Sequence, residues 1–438
     1  MDIFVGVIVG LLVLMVLVIL HEFGHFLAAR RNGVNVLEFG IGFPPRAIAW
    51  VKDPRTGKWR RLPRSEWEKD RLSKVVFSSS KDDGGLAQKG MIFSLNFLPI
   101  GGFCQMDGES AADTRKGTFG AASFWAKTKI LFAGVTMNWL AAMVILTILA
   151  WTGMPDFIEG QFTVPSDTRV DFTPVQILTV AEGSPADLAG IEPGDYVVSI
   201  DGNEIRYGGD ITTYNTAHAG EEVTYKLRRE LEVIDKVCEE DCVDCACTDT
   251  SAAVQEVDTV VKLNPADAEY LLGVTMETSQ AKSYSTWSAP IVGVGVTLQM
   301  TGQTFQGLGE LVWNLISGVG RLFSLDAGVR ESGQAAISAV GDSVSGPVGI
   351  IGVLFPAFTA AGPSNLAYLA AIISISLACM NVLPIPALDG GRWLLIAIYK
   401  LRKKTLTKET EEKIVARAFV TLLILMLIVT ILDITRLF

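Results

Sequence analysis

Residues 3–20, 130–151 and 414–431 are apolar for long enough to cross a lipid bilayer, and a fourth stretch, 366–383, carries only small polar residues. A hydrocarbon core about 30 Å thick takes roughly 20 apolar residues in a helix. The expected fold class is therefore a polytopic α-helical membrane protein with about four transmembrane helices. How the apolar residues are grouped matters more than their total, 49% of 438 residues at a mean hydropathy of +0.37. The first stretch has no basic region before it and no small-residue cleavage site after it. It reads as a retained helix, not a removable leader.

The net charge of −10 is unevenly spread. Between the first two apolar stretches lie Arg30, Arg31, Arg60, Arg61 and Arg64; beyond the second, acidic residues outnumber basic ones up to Ser288. Basic loops stay in the cytosol, so the basic loop and the turn at Arg402, Lys403 and Lys404 are expected inside. The acidic region and both termini are then expected outside. The basic loop reflects membrane topology; nucleic acid is not an expected partner.

The chain divides accordingly. Residues 1–30 read as the first transmembrane helix, 119–153 as the second, 364–400 as the third and 410–435 as the fourth. Residues 31–118 form a cytosolic-side loop region with two apolar pieces, 37–50 and 91–106, whose β-branched, aromatic and Gly content predicts membrane-associated β-hairpins. Residues 160–275 read as a compact β-rich domain, with strand-like runs over Ile177–Val180 and Tyr196–Ile200, a short helical run over Pro185–Ala189, and turn signals at Pro193-Gly194-Asp195 and Asp201-Gly202-Asn203. Residues 284–345, Gly-rich with Trp287, Trp313 and Phe323, read as amphipathic helices on the outer membrane surface.

Chemistry concentrates in His21-Glu22-Phe23-Gly24-His25, which holds two of the chain's three histidines. On a helix, imidazoles at i and i+4 leave one face a turn apart, a spacing that suits two ligands of one zinc. Glu22 beside them is placed to take a proton from a water that zinc acidifies to a pKa of about 7. Polar residues snorkelling from a helix end are the plain alternative, but an isolated Lys or Arg would serve that purpose better. Zinc needs a third protein ligand. Asp389, in the run Asn381 to Gly391 broken by Pro384 and Pro386, is the candidate. Locally its carboxylate is equally an N-cap for a helix over 392–399. Topology favours the ligand, because Asp389 falls at the same membrane side as His21 and His25.

With these features the chain resembles the site-2 proteases, specifically the bacterial regulator-of-sigma-E subgroup. The likeness rests on an ordered set: HEFGH, Glu38-Phe-Gly-Ile-Gly-Phe-Pro-Pro45, Leu98-Pro-Ile-Gly-Gly-Phe103, a PDZ-like Gly183-Ser-Pro-Ala-Asp-Leu-Ala-Gly-Ile-Glu-Pro-Gly-Asp195, Ser345-Gly-Pro347 and the NVLPIPALDGG run. It implies an intramembrane zinc metalloendopeptidase with zinc on His21, His25 and Asp389 and Glu22 as general base. Its expected substrates are single-pass transmembrane proteins, such as anti-sigma factors or signal-peptide remnants, after a first cut by another protease. The implied location is the bacterial inner membrane, with an inserted extracytoplasmic PDZ domain that filters substrates or binds a peptide.

The resemblance also makes Gly101, Gly102 and Phe103 part of a substrate-binding strand edge and gives Asn381 a part in substrate handling. Two departures stand out. Gly134-Val135-Thr-Met-Asn138 lacks the proline that many relatives carry after the glycine, and only one PDZ-like copy is evident. Cys238, Cys242, Cys245 and Cys247 read as disulfides or, less readily given their spacing, a metal site. Cys104 and Cys379 read as packing thiols. A non-catalytic PDZ-containing escort protein and a metal transporter are the rival classes. The first would need a damaged ligand set, and the second more intramembrane ionisable residues.

Overall fold

The computed structural model describes residues 3–52, 56–64, 91–110, 113–158, 160–172, 175–205, 208–231, 253–268, 270–276, 281–324, 326–343 and 346–437. The four clustered cysteines, 238 to 247, and Ser345 lie outside them. The chain separates into a helical unit (residues 1–152, 161–165 and 286–438) and a β-rich unit (residues 153–160 and 166–285).

In the helical unit, α1 (Ile3–Arg31) leads to β1 (Val36–Lys52), β2 (Trp59–Arg61) and β3 (Ile92–Met106), followed by α2 (Phe124–Thr152). Among the described residues, α1, α2, α8 (Pro363–Val382) and α10 (Lys408–Leu437) are long and apolar enough to cross a membrane. Where neighbouring helices touch, the contacts run through glycine. At Gly6 and Gly10 of α1 a Cβ would strike Pro356 and Phe355 of the short apolar helix α7 (Pro347–Ala360); at Gly24 it would strike the Ala133 carbonyl of α2. Between lipid-exposed helices, close backbone approach supplies much of the packing energy. The N-terminus of α7 is held by Asp433 of α10. Its buried carboxylate accepts from the Gly346 and Gly349 N–H groups at 3.0 and 2.9 Å, satisfying donors that a helix start leaves open.

The stretch expected as surface helices forms α5 (Ala289–Leu322) and α6 (Ala327–Ser343). The first half of α5 packs on α2. Ala289, Val292, Gly293, Val296, Thr297 and Met300 are buried at helical spacing, and Gly293 faces Thr147 and Met143 of α2. Only its second half, with Val312, Trp313, Ile316 and Val319, is widely exposed.

The apolar pieces 37–50 and 91–106 form one sheet, ordered β2-β1-β3, with β1 and β3 long enough to fold back on themselves. Phe39 lies opposite both Cys104 and Phe93, while Trp50 extends the sheet by also pairing with Phe93. Two positive-φ glycines, Gly42 and Gly101, sit at the bends, conformations that side chains with a Cβ resist. Asn96 ties the bends together, its amide donating to the Ile41 and Gly42 carbonyls at 3.2 and 2.9 Å. Buried Glu38 pairs bidentately with Arg46, Nε to Oε1 at 2.9 Å and Nη2 to Oε2.

The β-rich unit carries a sheet ordered β10-β9-β7-β6-β11, with β8 (Asn203–Glu204) paired to β7. These strands are β6 (Val175–Val180), β7 (Tyr196–Ile200), β9 (Glu222–Leu231), β10 (Ala253–Lys262) and β11 (Val274–Met276). Val223, Tyr225 and Leu227 alternate inward along β9, as a period of two requires, and join Ile177, Val197 and Ile200 in one core with Ile211 of α4 (Gly208–Ala217). Helix α3 (Pro185–Leu188) starts as its sequence foretells, Ser184 Oγ accepting from Asp187 N at 3.2 Å with Pro185 in the first turn. The unit runs wider than 160–275, because β12 (Ala281–Tyr284) pairs with β4 (Met154–Pro155) and β5 (Arg169–Phe172).

Candidate metal centre

The last turns of α1 carry His21 and His25, 9% and 7% exposed, with their Nε2 atoms 3.1 Å apart. Asp389 opens α9 (Asp389–Leu401) and brings its Oδ2 to 3.2 Å from each of those nitrogens. Its local reading as an N-cap is not what the structure presents. The cap position is Leu388, no side chain caps the helix, and Asp389 Oδ2 makes no regular hydrogen bond. The Pro384-Ile-Pro386 segment and the two following glycines explain the aim of the carboxylate. Helix α8 stops at Val382, and a Cβ on Gly390 or Gly391 would overlap the Val382 or Ile385 carbonyl, so the chain turns back tightly there.

The three atoms form a nearly equilateral triangle. In a tetrahedral site with zinc–ligand bonds of about 2.0–2.1 Å, two ligands sit about 3.3 Å apart, close to the separations here. The donor set, two imidazoles and a carboxylate, is that of a catalytic zinc, which keeps a fourth position open. Glu22, Nε2 of each histidine and their neighbours fall within one small cluster, the His21, Glu22 and His25 ligand atoms lying within 4.8 Å of one another.

Helix α2 supplies the support, from one face at i, i+4 and i+8. His25 Nδ1 donates to the Ile130 carbonyl at 2.8 Å, which leaves Nε2 with its lone pair free. Gly134 makes room, since a Cβ there would come 2.6 Å from both His21 Cε1 and His25 Nε2. The Asn138 amide lies against His21 Nδ1, its Nδ2 at 3.3 Å, and its buried Oδ1 has no partner. A metal on His21 Nε2 requires hydrogen on Nδ1, and the amide then presents Oδ1 by a half-turn. Ser374 of α8 fixes the same residue from behind, donating to the Asn138 carbonyl at 2.8 Å.

The sheet meets α1 beside the centre. Gly101 and Gly102 run along Val18 and Ile19, where a Cβ would sit 3.3 and 3.5 Å from their side chains, and Phe103 stacks on Phe43. One residue on, the backbone of Cys104 lies beside the Glu22 carboxylate. Asn381, in the last turn of α8, donates instead to the Leu377 carbonyl of its own helix at 2.9 Å. The third histidine, His218, belongs to the β-rich unit, bonding and stacking on Tyr214. Cys104 and Cys379 are free thiols.

Sequence reading missed Ile130, Asn138 and the Cys104 backbone. A backbone donor or acceptor leaves no mark in a sequence. Asn138 did leave one: a polar amide inside an apolar helix, four residues after a glycine.

The model of peptidase family M50 matches residues 9–60 and 85–426. The chain is similar to the regulator of sigma-W protease RasP of Bacillus subtilis, 26% identical over 99% of this chain and 100% of the relative. The zinc metalloproteases RasP of Bacillus licheniformis (27% identical, 99% of each chain) and Shouchella clausii (25%, 97% of each) are similar along their whole length too. With the match running through the helices that carry the histidines and Asp389, the chain is a member of peptidase family M50.

Proposed function

We propose that this chain is an intramembrane zinc metalloendopeptidase, with His21, His25 and Asp389 as the zinc ligands and Glu22 as general base. The observation that carries the reading is the triangle of His21 Nε2, His25 Nε2 and Asp389 Oδ2, two helices and some 360 residues of chain converging on one point. Bound there, zinc supplies Lewis acidity for a water and for the scissile carbonyl. Glu22 accepts the proton and returns it to the leaving amine, its carboxylate lying beside the backbone of Cys104. The edge at Gly101, Gly102 and Phe103 holds an unwound stretch of substrate by strand addition, because a helix hides its peptide bonds. Asn381 contributes at the carbonyl only after exchanging its bond to Leu377.

The substrate class is the transmembrane segment of single-pass proteins, cut at the cytosolic side of the membrane in regulated intramembrane proteolysis. The name of the Bacillus subtilis relative supports an anti-sigma factor as one such substrate; a signal-peptide remnant fits the same site. The β-rich unit acts as an extracytoplasmic PDZ module. Its cavity of about 420 Å³ between β6, α4 and β11 includes the free edge of β11, Val274 to Met276, suited to a peptide from a trimmed substrate or to excluding an untrimmed one. An escort protein without activity has no use for a complete ligand triangle.

Glu22→Gln tests the assignment directly. The purified variant is expected to keep one zinc per chain and its thermal unfolding, and to lose cleavage of a model transmembrane substrate. Normal turnover by the variant, or an intact protein without stoichiometric zinc, would falsify the proposal.

A further inference from the structure

A second cavity, of about 620 Å³, opens among the ends of α2, α9 and α10, away from the metal centre. Every charged residue lining it is a lysine: Lys127, Lys400, Lys404 and Lys408. Thr405 and Thr407 join them in the lining, with the apolar Phe124 and Leu406. We infer that this cavity binds the phosphate of an anionic glycerophospholipid.

The lysines are placed by the fold. Helix α9 ends in a Schellman turn, the Lys404 N–H donating to the Tyr399 carbonyl and the Lys403 N–H to that of Lys400, both at 3.1 Å. Lys403 takes the left-handed conformation (φ +51°) usually given to glycine, which swings Lys404 back over the cavity. Lys400 lies with Nζ 4.0 Å above the Phe124 ring. Lys127 is 8% exposed and donates to the Gly120 carbonyl at 2.7 Å; among the described residues no carboxylate lies within 4 Å of it, Glu411 acting on it from farther away. The first turn of α10 adds the positive end of a long helix.

The acidic residues nearby have other partners and do not line the cavity. Glu409 pairs with Lys413 and Asp113 with Arg115, each at 2.7 Å, and buried Glu411 accepts from Ser110 and faces Arg392. Asp113 and Glu411 also act at longer range on Lys408 and Lys127, but among the described residues the charged lining itself is all lysine.

A lipid fits better than a free anion because of where the cavity lies. It sits where three helices leave their apolar runs, next to the 70% exposed Trp125, an aromatic of the kind that marks the headgroup level. Basic pockets between helices at that level are suited to anionic headgroups. The inference rests on the reading that these helices span a bilayer, and is independent of the zinc chemistry.

The test is lipid retention by the full chain in mild detergent, read by native mass spectrometry during titration with phosphatidylglycerol or phosphatidylcholine. Phosphatidylglycerol is expected to be retained at least about tenfold better. A lysine near an anionic headgroup changes affinity by about fivefold, so the double variant Lys404→Gln, Lys408→Gln should lose on the order of 25-fold. Lys404→Arg, Lys408→Arg should restore most of it, which separates charge from folding. Equal retention of the two lipids, or an undiminished phosphatidylglycerol signal in the glutamine variant, overturns the inference. Full displacement by millimolar inorganic phosphate also overturns it, since the site would then be one for the free ion. Zinc content, measured in parallel, reports separately on the metal centre.

Discussion

The two units bury their residues by different rules. In the β-rich unit, large apolar side chains alternate along strands and meet in one core of Ile177, Val197, Ile200, Tyr225 and Leu227. In the helical unit, many apolar side chains of α1 and α10 point outward, and the contacts between helices combine apolar side chains such as Leu17, Ile130, Leu146 and Ile375 with close approach at Gly24, Gly134 and Gly293 and with the buried polar groups His21, His25, Asn138 and Ser374. The difference follows from the solvent. Water drives apolar side chains inward, whereas lipid gives them no such preference and leaves close backbone approach and hydrogen bonds to specify packing. A metal centre is easily built in the second setting, because the polar residues are already what the interior contains.

The sharpest way to break this contrast is Gly134→Val. In a side-chain-packed core an added isopropyl group costs about 1–3 kcal/mol, but here it would enter the space of both imidazoles. Zinc content should fall to background while the β-rich unit keeps its resistance to limited proteolysis; a variant with full zinc would mean the helix contact yields. The converse is Leu227→Ala. It should destabilise the β-rich unit by about 2–5 kcal/mol, seen as faster proteolysis within residues 166–285, with zinc content unchanged. Loss of zinc in that variant would show that the two kinds of core are coupled.

Asn138 gives a smaller and finer test. Asn138→Leu keeps the volume but removes the acceptor facing His21 Nδ1, and zinc loss to a chelator should accelerate about 10–100-fold. Asn138→Asp, which retains an acceptor, should stay within a few-fold of the parent. Equal behaviour of the two variants would reduce Asn138 to a packing residue.

The smallest effect concerns pH. Burial pushes the Tyr225 phenol above its usual range, and its 2.6 Å donation to Asn215 Oδ1, a bond only the neutral phenol can make, acts in the same direction. The unfolded phenol ionises near pH 10 while the folded one keeps its proton, so the folded state binds more protons and stability falls as pH rises past that point. The β-rich unit should lose protease resistance above about pH 10, and Tyr225→Phe should flatten the dependence. An unchanged profile in that variant would place the cause in another group.

Much of this was legible in the sequence. The four apolar helices, the i, i+4 histidines, and the strands and helix over 177–200 all announce themselves by local periodicity, turn residues and caps, which neighbouring residues encode among themselves. The sheet from residues 36–52 and 91–106 was legible as β structure, but not its doubled-back pairing, which depends on Gly42, Gly101 and Asn96 meeting across the fold. The first half of α5 was legible as part of an amphipathic stretch, but not its packing on α2 through the small residues Ala289, Gly293 and Thr297. Their smallness is what lets α5 approach α2.

By itself, then, the sequence determined a membrane class, a helix bearing His21, Glu22 and His25, and a carboxylate at Asp389 that locally served equally as a cap or a ligand and that topology tipped toward the ligand. Tertiary structure decided how closely Asp389 meets the histidines, and that Ile130, Gly134 and Asn138 set their orientation. The physical reason is range: periodicity and capping act over a few residues, while these contacts join helices that are distant in the chain, one of them through a backbone atom common to every residue type.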